Sequence, residues 1–437
     1  MHEFSNTDMA VFAVVGQSVF PHRVPLAPAL DVAAPVDWVA VMGELRAQTV
    51  FALGADWMAE RAPRQGVAAL SADLREAWLT ESVVNVRNWI AVMEGQRALV
   101  ELLHAHDIPV AILKGAAAGQ YYPRPEYRAM GDVDFLVPLS QRGDCYRLLR
   151  AHGYEDAQGG GAASLYQDAA HHAALIKDGV EFELHWRLAA KRQAGRFERQ
   201  LPPLLKTGLA QVETIKIEGY EIPVLPCELN GIVLLRHIMQ HLQAYELGLR
   251  QLVDWMLFVD ACLADAAWDG GFGERARSLG LDQLACHATR ACQLYLGLRE
   301  EGITWCRAAS PELAADFLAC LMRAGNFGRK EAGRNKGLYV FTRRSGAASA
   351  LLHLQRDGAS SWPALAAHPG LRPLAWAWKL QRYVRRVLEK DAPFRDTMAL
   401  MERGRAHEGL LERLGIPANL QRAEAGSECG MPAGAER

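Results

Sequence analysis

"YRAMGDVDFLVPL", residues 127–139, sets two aspartates one residue apart at the mouth of a strongly apolar run. Side chains alternate faces along a strand, so Asp132 and Asp134 share one face. Two carboxylates at that spacing repel each other unless a cation sits between them. Mg²⁺ takes hard oxygen ligands, commonly one or two carboxylates together with substrate phosphates. A polar strand end is the plain alternative, and a lone D-x-D does not choose between the two.

The neighbouring segments bear on that choice. Downstream, "VEFELHW" (180–186) puts Glu181, Glu183 and His185 on one face of a strand and Val180, Phe182, Leu184 and Trp186 on the other. It follows "HHAALIKDG", where Asp178-Gly179 between alternating apolar runs predicts a hairpin. Laid beside "DVDFLV", this strand adds a third carboxylate, a set that suits two-metal in-line displacement at phosphorus. Upstream, "IPVAIL" (108–113) reads as a strand ending at Lys114-Gly115. A short helix "AAAGQYY" follows, so its first N–H groups and the lysine charge are expected to favour a phosphate. "PRPEYRAMG" is a loop because of its two prolines. "SQRGDCYRLLRAHGYE" is an amphipathic helix, followed by a glycine-rich turn "QGGGAAS" (158–164).

These elements predict an α+β core over 105–225 with a small mixed sheet. Helical regions flank it at 1–104 and 226–415, and a disordered tail is expected at 416–437. The N-terminal region repeats apolar residues at helical spacing from 36 to about 107, with Ser71 and Asp73 as N-cap candidates. Helices return at about 228. A basic stretch, 323–344, carries seven Lys/Arg against Glu331. The helix "LAWAWKLQRYVRRVLEK" mixes aromatic and basic residues, which read as helix-face and core residues.

The 437 residues are half hydrophobic, which allows a sizeable core, and the net charge of -2 implies no polyanionic partner. The eight cysteines form no C-x-x-C pair, so neither a zinc nor a redox motif is indicated, and they read as small core residues in a reducing compartment. No basic n-region opens the chain and no long uncharged apolar run occurs. A cytoplasmic protein without a membrane span is expected.

Taken together, the motifs resemble nucleotidyltransferases of the DNA polymerase β-like superfamily, and more closely its branch of uncharacterised nucleotidyltransferases. The resemblance rests on Leu113-Lys114-Gly115, Tyr122-Pro123, Arg128, Asp132-Val133-Asp134-Phe135-Leu136-Val137 and Glu183-Leu184-His185-Trp186. His237-x-x-x-His241 followed by Leu252 and Asp254, and "GNFG" (325–328), resemble the same group. It implies a polymerase β-like core and Mg²⁺- (or Mn²⁺-) dependent transfer of a nucleoside monophosphate from NTP. Asp132, Asp134 and Glu183 are then the metal and catalytic residues, and Lys114, Gly115, Arg128 and His185 serve the nucleotide. Lys-Gly stands where the superfamily has Gly-Ser, Glu183 where Asp is commoner, and 16 residues separate Gly115 from Asp132, more than in minimal members.

Other readings compete. Glu181 rivals Glu183, although the "E-h-H-W" match favours Glu183. His237 and His241 share a helical face and form a metal site only if Asp254 joins them; packing or substrate contact is the simpler reading. His171 and His172 have no assigned role. The acceptor is a small molecule, peptide, saccharide or RNA. The alternatives are tailoring of a phosphorylated peptide or saccharide from a nucleotide-activated donor, a toxin-like tRNA nucleotidyltransferase, and a non-catalytic scaffold.

Overall fold

Helix α3 (Ala72–His104) organises the domain. Ser71 caps it, its hydroxyl accepting from the Leu74 N–H. Trp78, Trp89, Val92, Met93, Leu99, Val100 and Leu103 fall on one face of it at helical periodicity and are buried. The computed structural model describes residues 4–23, 36–61, 71–157, 165, 171–188, 195–326, 330, 374, 377–378, 381 and 394–416. By contacts, Met1–Lys330 with Leu414–Arg437 forms one unit and Glu331–Arg413 another.

In the first unit, α1 (Asn6–Val19) and α2 (Trp38–Ala47) precede α3. Then come β1 (Ala111–Ile112), α4 (Gly115–Gly119), β2 (Asp132–Leu136), α5 (Arg142–Ala151), β3 (Glu155–Asp156), β4 (His172–Lys177) and β5 (Val180–His185). α6 (Gly195–Leu209), β6 (Glu213–Ile217) and β7 (Tyr220–Val224) complete the α+β part. The helices α7 (Cys227–Ala244), α8 (Leu249–Cys262), α9 (Asp265–Ala267), α10 (Gly273–Leu279), α11 (Asp282–Tyr295) and α12 (Pro311–Ala324) follow. In the second unit, α13 spans Phe394–Arg413.

The seven strands form one mixed sheet in the order β3-β4-β5-β2-β1-β7-β6. β2 runs parallel to β5 and β1 parallel to β7, while the remaining pairs are antiparallel. The α+β expectation holds. The hairpin falls where Asp178-Gly179 put it, both residues taking positive φ (51° and 79°), the conformation of a type I′ turn. A second such hairpin joins β6 to β7 through Glu218-Gly219, a Glu-Gly pair that lacks the stronger Asn/Asp-Gly signal.

One sheet face is apolar. Val133, Phe135, Val137, Val180, Phe182, Leu184 and Trp186 join the α3 residues in a single core cluster. By alternation the carboxylates of β2 and β5 lie on the opposite face, toward the helices that follow the sheet in sequence.

The helical tract after residue 226 breaks at Tyr245, which caps α7 in the left-handed conformation. Gly248 then opens α8 where no side chain fits: a Cβ there would meet Cβ of Asn326 at 2.6 Å. Asn326 is fully buried. It accepts from Gln251 Nε2 (2.8 Å) and donates to Thr49 Oγ1 (2.8 Å), so the "GNFG" asparagine ties the α2 end to α8.

No disulfide links the described cysteines, and Cys145, Cys292, Cys306 and Cys320 are buried, as expected of core residues. No helix among the described residues is long and apolar enough to cross a membrane. The glycine-rich turn, the tail after 416 and the basic stretch apart from 323–326 and Lys330 lie outside the described residues.

Candidate active site

The parallel pairing of β2 with β5 decides which carboxylates meet. Its register sets Asp134 beside Glu183 and Asp132 beside Glu181. Asp134 is buried, Asp132 and Glu183 are half-buried, and Glu181 is exposed. Asp132, Asp134 and Glu183 open into a cleft of about 170 Å³, together with Lys114, Gly115, Arg128 and His185. Every residue expected at the site therefore lines one cavity, and Glu181 is not among its lining residues.

Lys114 reaches the cleft through an unusual backbone. Its φ of 48° and ψ of −120° lie where a residue with a Cβ is strained, and such strain persists only when the surroundings over-determine it. Two bonds do so here: Leu113 N–H donates to Asp134 O (2.8 Å) and Ala118 N–H to Lys114 O (2.7 Å). The resulting bend delivers Lys114 Nζ to Asp134 Oδ1 at 2.7 Å. The helix that follows is only five residues long, so the lysine charge, rather than a helix dipole, is what this segment contributes.

His185 sits between the two paired carboxylates. Its Nε2 lies 2.9 Å from Asp134 Oδ1 and 3.0 Å from Glu183 Oε2. Burial alone would push the Asp134 carboxyl up, but Lys114 and then His185 hold it well below its ordinary value. Asp132 fares differently. It makes no hydrogen bond or ion pair with a described residue. Burial, and then the Asp134 charge, push its carboxyl up from 3.8 to about 6 against the pull of Lys114. Ligand atoms of Asp134, Glu183 and His185 lie within 4.8 Å of one another, a set that could hold a metal ion, and the unbalanced Asp132 carboxylate lines the same cleft beside them.

Arg128 also lines the cleft, but its charge is already matched. Nε and the second terminal nitrogen reach Asp254 Oδ1 and Oδ2 at 2.8 and 2.7 Å, and Tyr122 OH donates to Oδ1 at 2.7 Å. Both partners of this fork are almost fully buried. A bidentate buried fork leaves little of the guanidinium to offer a ligand. Arg128 anchors the 121–131 loop to α8. From the other side α3 pins the same loop, as Asn85 Nδ2 donates to Glu126 O (2.9 Å) and Asn88 Nδ2 to Met130 O. Asp254 is likewise committed to Arg128 and so does not complete a metal site with His237 and His241.

Three polar residues of the cleft escaped the sequence reading: Arg236 and Gln240 on α7, and Arg250 on α8. A signal existed for the first two. Arg236, His237, Gln240 and His241 recur at i, i+1, i+4 and i+5 within an otherwise apolar helix, forming a polar stripe of which only the histidines stood out. Burial, and then Lys114, hold His237 well below its ordinary value and His241 down to about 4. Burial lowers Arg236 to about 10, and lowers Arg250 with Arg128 as the next cause. Cations crowded and desolvated in this way favour an anion. Arg250 donates to Ala129 O (3.0 Å), which fixes it beside the loop.

The wall opposite α7 and α8 is made of β2 and β5, so carboxylates and cationic side chains face the same small volume from opposite sides. The uncharacterised nucleotidyltransferase family matches this chain over residues 34–297. The chain belongs to that family. The motifs from "LKG" through "ELHW" to Asp254 fall within the matched residues, and "GNFG" (325–328) lies beyond them. Among solved structures, an antigenic nucleotidyltransferase-like protein from Paracoccidioides brasiliensis is similar over 43% of this chain and 87% of its own, at 15% identity and a TM-score of 0.27. No curated protein matches the chain.

Beside the cleft lies a larger, mainly apolar cavity of about 780 Å³, bounded by the ends of β2 and β5 and by α6. Leu188 lines both.

Proposed function

We propose that this nucleotidyltransferase-family chain transfers a nucleoside monophosphate from NTP to an acceptor hydroxyl or phosphate, with Mg²⁺ or Mn²⁺ as cofactor. The observation that carries the reading is the unbalanced Asp132 carboxylate beside Asp134 and Glu183 in a cleft whose other wall is cationic. An acceptor oxygen attacks the α-phosphorus, the bond to the β-phosphate oxygen breaks, and pyrophosphate leaves.

Asp132, Asp134 and Glu183 would hold the metal. Once bound, the ion supplies charge neutralisation for the leaving pyrophosphate and a lowered pKa for the acceptor hydroxyl. Glu183 takes the acceptor proton. Lys114 would turn its charge to the triphosphate together with Arg236 and Arg250. His185 keeps Asp134 and Glu183 in register by sharing its Nε2–H between them. Arg128 holds the loop that carries Asp132.

Asp132→Asn and Asp134→Asn are each expected to abolish Mg²⁺-dependent NTP binding and labelling of acceptors in cell extract, with an unchanged circular dichroism spectrum. Turnover at the wild-type rate in either variant rejects the proposal. One observation favours a second reading: Lys114 and His185 already balance Asp134, as they would in a binding protein that holds no ion. Titration calorimetry separates the two, since that protein shows no metal-dependent heat with any NTP.

A further inference from the structure

Three histidines stand next to the carboxylates, and nucleotidyl transfer gives two of them no task. His171 directly precedes β4, His172 opens it, and His185 closes β5 directly across from His172 in the register. Each ring offers one nitrogen, and these nitrogens lie within 4.8 Å of one another. All three residues line the cleft.

The hydrogen bonding of these rings points to a ligand. His185 is buried to within 4% of full exclusion, and its Nε2 faces Asp134 and Glu183 while its Nδ1 is buried with no partner. His172 shares only the second half of this pattern: Nδ1 is buried with no partner, while Nε2, at 3.9 Å from Glu183 Oε1, stands beyond hydrogen-bond distance. A buried imidazole nitrogen without a partner costs free energy. An imidazole that gives one N–H to a carboxylate keeps its other nitrogen as a lone-pair donor, which is the usual state of a metal-binding histidine.

We propose that His171, His172 and His185 bind a borderline divalent ion of the Zn²⁺ class, at a position separate from the hard-cation site on Asp132, Asp134 and Glu183. The donors decide the class. Imidazole suits Zn²⁺, Co²⁺ and Ni²⁺, whereas carboxylate and water suit Mg²⁺. In a tetrahedral site with bonds of about 2.1 Å, donors stand about 3.4 Å apart. From separations within 4.8 Å the rings close by at most about 1.4 Å, a movement within reach of small side-chain rotations. Three protein ligands leave a fourth position open to water or to an acceptor oxygen, as in catalytic rather than structural zinc sites. His185 joins the two positions, since it reaches the carboxylates through Nε2 and leaves Nδ1 for the ion. The inference stands on the histidines and survives if the chain transfers no nucleotide.

Co²⁺ is the probe, added to the untagged full-length protein in excess Mg²⁺ and followed by its visible absorption. The expected result is one tight Co²⁺ with the intense spectrum of a four-coordinate ion and no thiolate charge-transfer band. His171→Gln and His172→Ala should each weaken it about 10- to 100-fold, while Asp132→Asn leaves it in place. Unchanged melting of the metal-free variants excludes loss of fold as the cause, and His172→Gln replaces His172→Ala if that variant melts early. Co²⁺ bound equally by both histidine variants, displaced by Mg²⁺, lost in Asp132→Asn, or carrying a thiolate band overturns the proposal.

Discussion

Two buried ionic groups flank the same short loop and are balanced in opposite ways. At one end, Arg128 and Asp254 form a closed bidentate fork with Tyr122 completing it, so every charge is matched. At the other, Asp134 takes Lys114 and shares one imidazole nitrogen with Glu183, and Asp132 is left without a partner. Both sets occur as polar residues in the linear sequence, and only the charge balance tells anchor from reactive site. A matched pair fixes the loop; an unmatched carboxylate stores the affinity that a cation later satisfies.

The largest effect should come from breaking the matched pair. Asp254→Ala leaves Arg128 buried without a counter-charge and is expected to cost about 3–5 kcal/mol in urea unfolding. Replacing both partners, Arg128→Met with Asp254→Leu, should recover much of that loss. A cost below about 1 kcal/mol for Asp254→Ala would erase the distinction between the two groups.

The unmatched site should respond with the opposite sign. A carboxyl whose pKa is raised in the folded state is protonated there while the unfolded chain is already ionised. Its contribution to stability is therefore full below 3.8 and is lost as pH rises through about 6. At pH 7.5 Asp132→Asn is expected to stabilise the metal-free protein by about 1–3 kcal/mol. The variant should also lose the rise in melting temperature that Mg²⁺ gives the wild type. A destabilised Asp132→Asn would mean that the carboxylate has a partner after all.

The same titration bears on ligand binding. Mg²⁺-dependent NTP affinity should hold above pH 6 and fall by about ten-fold per unit below it as Asp132 takes up a proton. His171 does not blur this window, because burial, and then His172, hold it down to about 3. A profile flat between pH 5 and 8 would remove Asp132 from the site. The smallest effect is expected at Glu181, which faces Asp132 in the register but lies exposed, outside the cleft lining. Glu181→Gln should stay within about 0.5 kcal/mol of wild type in stability and about two-fold in turnover.

Much of this was legible in the chain. Period-two alternation put Asp132 and Asp134 on one face of β2 and Glu183 and His185 on one face of β5, and Asp178-Gly179 fixed the hairpin between β4 and β5. These features are local, so neighbouring residues suffice to predict them. The parallel pairing of β2 with β5 is not local: about 50 residues separate Asp134 from Glu183, and no short-range pattern chooses a parallel partner or its register. The arginines of α7 and α8 were hidden for the same reason, since a cation in an apolar helix shows its purpose only when the facing carboxylates are known. Arg128 shows the converse, because a charge that looked free in the sequence found its partner 126 residues away.

The sequence by itself thus determined the elements, the apolar and polar faces of the strands, and the residue types able to hold a cation. Only the tertiary structure decided which charges cancel. Coulomb energy depends on distance and burial, and both are set by long-range pairing that a linear pattern does not contain.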